Sequence, residues 1–178
     1  DAAVQYTMPP DILSRARFTI KTGDSLDMTV LADRLVSAGY VRSELCEGLG
    51  QFSVRGGIFD IFPVNSAQPC RIEFWGDEID SIAYFDAETQ RRTESAGEIN
   101  VTPACEVIYD SAELAEKLQS CLDREKYLTP AQKSSAARDI DALKNGVQIP
   151  PDRYIPLIYP GGETIFDYTD GALMIISE

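Results

Sequence analysis

The strongest constraint on this chain is the period-two patterning between Gln51 and Phe85, where β-forming segments are separated by turn residues too short for any crossover. Gln51-Phe52-Ser53-Val54-Arg55, Ile58-Phe59-Asp60-Ile61-Phe62, Cys70-Arg71-Ile72-Glu73-Phe74-Trp75 and Glu78 through Phe85 each read as a strand. Only Gly76 and Asp77 separate Trp75 from Glu78, which makes a tight hairpin with glycine free to take positive φ. The loop Pro63 to Pro69 returns the chain so that 58–62 runs antiparallel to 70–75. Gly56-Gly57 is compatible with a second hairpin turn or with a bulge bending one long strand, and the bulge is slightly favoured.

Helical patterning flanks this region. Arg17-Phe18-Thr19-Ile20 reads as a short strand closed by Thr22-Gly23-Asp24. A helix follows on Met28, Leu31, Leu35 and Val36, capped by Asp24 or Ser25 and stopped at Gly39. Past Pro103, helices are expected at 111–122, with Leu114, Leu118, Cys121 and Leu122 on one stripe, and at 129–145, where Thr129-Pro130-Ala131-Gln132 forms a capping box and Gly146 ends the run. The fold class is therefore α+β, a mainly antiparallel twisted sheet with flanking helices. The apolar run Ala172-Leu173-Met174-Ile175-Ile176 reads as a buried strand that needs further layers, so the chain is expected to be a fragment of a larger multidomain protein.

Composition narrows function. The net charge of -13 makes direct phosphate or DNA binding unfavourable, and the absence of His removes the commonest general base and zinc ligand. Cys46, Cys70, Cys105 and Cys121 show no paired spacing and read as reduced, buried thiols. No signal peptide or membrane span is expected, nor a metal or cofactor. Gly48-Leu49-Gly50 lacks the Lys-Ser or Lys-Thr of a phosphate loop and leads into a strand, so no ATP binding is expected. Asp60, Asp77, Glu78 and Asp80 are the residues an acidic metal-dependent enzyme would use. Against that, Asp77 sits in a turn, and Glu78 and Asp80 alternate with Ile79 to face solvent.

Alternation through 71–75 buries Ile72 and Phe74 and turns Arg71, Glu73 and Trp75 outward. The same count places Phe52 and Val54 inward and Ser53 and Arg55 outward. If the strands are neighbours, two guanidinium groups and an indole share one face of an acidic chain, in residue types that dominate interface hot spots. The alternative is that Arg55 and Arg71 pair with Glu73 or Asp60 while Trp75 covers a packed helix.

The stretches Gly50-Gln51-Phe52-Ser53-Val54-Arg55-Gly56-Gly57-Ile58-Phe59-Asp60-Ile61-Phe62-Pro63 and Arg71-Ile72-Glu73-Phe74-Trp75-Gly76-Asp77-Glu78-Ile79-Asp80-Ser81-Ile82 strongly resemble the module shared by bacterial transcription-repair coupling factors (Mfd) and UvrB. The resemblance continues through Phe85-Asp86, Thr89-Gln90-Arg91 and Pro103-Ala104, and again at Phe166-Asp167-Tyr168 and 172–178; the stretch 111–151 is the least diagnostic. It implies domain 2 of that family, a non-enzymatic docking unit inserted between two halves of a degenerate helicase-like domain, which recruits UvrA to stalled RNA polymerase in nucleotide-excision repair. On that reading residues 1–24 lead in from the preceding domain. Residues 25–151 form domain 2, β-rich over 40–105 and helical over 111–146, and 152–178 return to the other half. The UvrA-contacting positions implied are Arg55, Arg71 and Trp75, the last where the family pattern expects Phe. RNA polymerase, DNA and ATP hydrolysis belong to parts of the longer family protein, and a cytoplasmic, monomeric fragment is expected. Ser177-Glu178 stands where a working helicase places Asp-Glu to hold Mg²⁺, which favours the coupling factor over UvrB, the alternative from the same lineage.

Overall fold

The computed structural model describes residues 5–125 and 127–169. The contacts divide the chain into two compact units, Pro10–Glu106 and the residues up to Pro9 together with those from Val107 onward.

The first unit holds α1 (Pro10–Ala16), β1 (Phe18–Lys21), α2 (Met28–Ser37), β2 (Val41–Arg42), β3 (Gln51–Arg55), β4 (Ile58–Ile61), β5 (Cys70–Trp75), β6 (Glu78–Phe85), β7 (Arg92–Ala96) and β8 (Glu98–Val101). Six strands form one sheet in the order β2-β3-β4-β5-β6-β7, and β1 pairs antiparallel with β8 in a separate ribbon. The sheet is antiparallel except for β2, which runs parallel to β3 with Val41 opposite Gln51. The α+β class expected from patterning is the class observed.

Gly56-Gly57 is a hairpin turn, not the favoured bulge. Arg55 pairs with Ile58 across it. Gly56 alone of the two takes positive φ (+61°), the arrangement of a type II′ turn, whose twist suits the flanking strands. The Gly76-Asp77 hairpin closes as expected, with Trp75 opposite Glu78 and Gly76 at φ +64°. Helix α2 ends at Gly39 as expected, but its cap is Asp27, whose Oδ1 accepts the Thr29 and Val30 amides. Asp24 is engaged instead with the Lys21 amide.

The core lies between α2 and one face of the sheet. Leu31 and Leu35 share one buried cluster with Phe52, Phe59, Ile61, Cys70, Ile72, Phe74, Ile79 and Ile82, while Ile20, Ile99 and Val101 extend it onto the β1–β8 ribbon. Burying side chains of this size stabilises by about 1.5–3 kcal/mol each before conformational entropy is counted. The Phe52 and Phe59 rings stack with centroids 5.5 Å apart.

The second unit holds α3 (Ser111–Arg124), α4 (Pro130–Lys144) and the short α5 (Ile155–Ile158). The capping box forms between Thr129 and Gln132 with Pro130 in the first turn. Leu114, Ala115, Leu118, Ile140, Leu143, Ile149 and Tyr154 make its core. The apolar run 172–176 and the Ser177-Glu178 pair lie outside the described residues.

Candidate functional site

The face of the sheet opposite α2 carries the chemistry. Register brings Ser53, Asp60, Arg71 and Ala83 side by side across β3, β4, β5 and β6, and places Arg55, Ile58, Glu73 and Ser81 in the next row. Arg55, Arg71 and Trp75 therefore do share a face, with β4 between the two arginine-bearing strands. Trp75 stands at the hairpin tip, 84% exposed, so no helix among the described residues covers its ring.

Both arginines converge on Asp60, the only fully buried charged side chain among the described residues. Arg71 donates from Nε to Oδ1 at 2.7 Å and from Nη2 to Oδ2 at 2.8 Å. Arg55 donates from Nη2 to the same Oδ2 at 2.8 Å. A carboxylate taken out of water is tolerated only when paired and hydrogen-bonded, and three charge-assisted bonds do both. The guanidinium of Arg71 lies 4.7 Å above the Phe85 ring, and its Nη1 and Nη2 reach the carbonyl and Oε1 of Gln90 at 3.4 and 3.5 Å. Its bond to Asp60 raises its pKa above the ordinary arginine value. Gln90 has φ +58°, a strained conformation for a side chain of this kind, and it is this turn that offers the carbonyl to Arg71.

Of the two arginines, Arg71 is 18% exposed along its side chain and Arg55 45%. Glu73, the other pairing partner considered from sequence, accepts a bond from Ser81 Oγ at 2.8 Å instead. Ser53 corrects the expectation of an exposed position. It points to the outer face yet is 1% exposed, because it sits directly opposite Asp60 within the ion-paired cluster, and its hydroxyl has no hydrogen-bond partner among the described residues. Cys46 is buried, its thiol donating to the Gln51 carbonyl; burial first, and the Asp60 charge second, push its pKa up to about 12.

Sequence reasoning left Asp60 undecided between pairing and metal binding, although an acid set among Phe59, Ile61 and Phe62 is itself a sign of a buried ion pair. Among the described residues no group of three acidic or thiol side chains is placed to hold a metal ion. Asp77 in its turn is exposed, and so are Glu78 and Asp80, as alternation predicted. Two further residues were not read as part of the site: Gln90, noted only within the family resemblance, and Arg92, which pairs with Phe85 in β7 and so lies on the same face as the cluster.

Comparison with known proteins bears on this face. Residues 18–106, half of the chain, match the family described as the UvrB interaction domain. The transcription-repair-coupling factor of Bacillus subtilis is 34% identical over 99% of this chain and 16% of its own length. That of Staphylococcus epidermidis is 29% identical over 98% of this chain and 16% of its own. A Staphylococcus aureus relative of the same name is 38% identical over 58% of this chain and 9% of its own. This chain thus spans about a sixth of the length of the first two relatives.

Proposed function

The chain belongs to the UvrB interaction domain family, and from that premise we propose that it is a non-enzymatic docking module that recruits UvrA, in the setting of a transcription-repair coupling factor acting at stalled RNA polymerase. The observation that carries this reading is the sheet face itself: two arginines gripping one buried carboxylate beside a tryptophan that is 84% exposed, on a chain of net charge -13. Arg55 and Arg71 offset Asp60 and Glu73, so this face is less acidic than the chain as a whole; the half-exposed Arg55 guanidinium offers donors, and the exposed indole on the same face supplies an apolar anchor. An acidic, apolar-edged partner surface fits both.

Arg55, Arg71 and Trp75 are the hot spot of this proposal. RNA polymerase, DNA and ATP belong on this reading to other parts of a longer protein, and the location is the bacterial cytoplasm. No helix among the described residues is long and apolar enough to cross a membrane. The division into residues 1–24, 25–151 and 152–178 belongs to the same proposal; the docking face lies wholly within Pro10–Glu106. The relatives' printed names support the coupling factor over UvrB.

The test is calorimetric titration of purified UvrA with the wild type, Arg55→Ala and Trp75→Ala, with thermal melts in parallel. Each substitution should weaken binding by roughly 5- to 150-fold, equivalent to about 1–3 kcal/mol. Absence of wild-type binding, or unchanged affinity in both variants, refutes the proposal.

A further inference from the structure

Asp60 cannot touch any partner, because it is fully buried, yet it decides where the exposed arginine points. Both oxygens of its carboxylate are engaged by Arg71, and Oδ2 is shared with Arg55. The Arg71 fork is spent on this contact, and Phe85 and Gln90 hold the rest of its guanidinium. Arg55 differs. A single Nη2 bond tethers it, and its Nε and Nη1 have no hydrogen-bond partner among the described residues. An untethered arginine side chain must give up rotamer freedom when it binds, whereas one already held at Nη2 has lost much of that freedom in advance.

We propose that Asp60 is a positioning residue of the docking surface, fixing the direction in which Arg55 offers its two unused donor groups to a carboxylate of the partner. The inference rests on the docking function proposed above. It assigns the arginines different tasks: Arg71 anchors the carboxylate, and Arg55 reads the partner.

The experiment is a double-mutant cycle in which Asp60→Asn, Arg55→Ala and the pair are titrated against UvrA, with urea melts of each. Replacement by Asn keeps the shape of Asp60 and removes the charge that holds Arg55. Each single change should weaken binding about tenfold, and the pair should bind no more weakly than Arg55→Ala alone, the non-additivity of residues acting as a unit. An equal loss from Asp60→Asn with and without Arg55 would mean that Asp60 does not act through Arg55, and the inference would fall. Unchanged binding by Asp60→Asn while Arg55→Ala weakens it would overturn the inference and leave the docking function standing; unchanged binding by both Arg55→Ala and Trp75→Ala would remove that function itself. If Asp60→Asn does not fold, the ¹⁵N heteronuclear NOE of the Arg55 Nε–H group in the unaltered chain decides. A value close to that of the strand backbone supports tethering, and a value like that of exposed Arg42 overturns it.

Discussion

Replacing Arg71 by Ala should damage the fold and not only a surface, which separates it from its neighbours on the same face. The substitution removes two charge-assisted bonds to Asp60, at 2.7 and 2.8 Å, and the cation–π contact with Phe85. Removing one partner of a buried ion pair costs about 3–5 kcal/mol when the remaining charge is stranded. Here Arg55 stays on Oδ2, so Asp60 is left half-satisfied and the loss should be about 2–3 kcal/mol. For a unit of this size that lowers the melting temperature by roughly 10–20 °C. Arg55→Ala, half-exposed and screened, should cost about 1 kcal/mol, and Trp75→Ala should stay within about 0.5 kcal/mol of wild type. Urea unfolding followed by circular dichroism gives all three values. An Arg71→Ala variant within about 0.5 kcal/mol of wild type would show that the buried carboxylate does not depend on its bidentate partner, and would refute the account of the cluster.

The pKa values of Cys46 and Cys70 are pushed up to about 12, chiefly by burial. From pH 9 to 12 the unfolded chain therefore releases thiol protons that the folded chain keeps, and stability should fall as pH rises through that window. Urea midpoints that do not decline there would contradict this, as would rapid modification of either thiol in the native protein at pH 8. Gly39→Ala should destabilise well beyond Gly56→Ala. Both glycines have positive φ, but a Cβ at Gly39 meets the Cys105 Cβ at 2.5 Å, whereas one at Gly56 meets nothing within 4 Å and costs about 1–2 kcal/mol of conformational strain; equal melting temperatures would refute this. Thr129→Ala removes one half of a reciprocal cap and should lower stability by about 1 kcal/mol, read as helical signal lost at lower temperature.

What could be read from sequence was what depends on neighbours along the chain. The alternation through 70–75, the two-residue turn at Gly76 and the capping box at Thr129 each involve residues no more than five apart, and each appears in the structure. What escaped depends on cross-strand pairing. A turn and a bulge at Gly56-Gly57 have the same local sequence and differ only in whether Arg55 faces Ile58. Ser53 looked exposed because alternation specifies a side of the sheet but not what fills that side. Asp24, Ser25 and Asp27 are chemically equivalent caps at the start of α2, and the choice fell to Asp27 because Asp24 already closes the preceding turn. The three-way contact among Arg55, Asp60 and Arg71 combines both kinds of information: its residue types were visible, while their meeting at one carboxylate required the register.

The order of the six-stranded sheet bears on how the protein behaves in a crowded solution. Its outermost strands have backbone donors and acceptors on one side that are free to template another chain, the usual beginning of aggregation. One margin is limited to two residues, Val41 and Arg42, too short to nucleate a ladder. The other, β7, sets Arg92 and Glu94 along a largely exposed strand, and charged side chains on an edge disfavour its pairing with another chain. The sheet can therefore display a bare tryptophan on its face while its margins resist polymerisation.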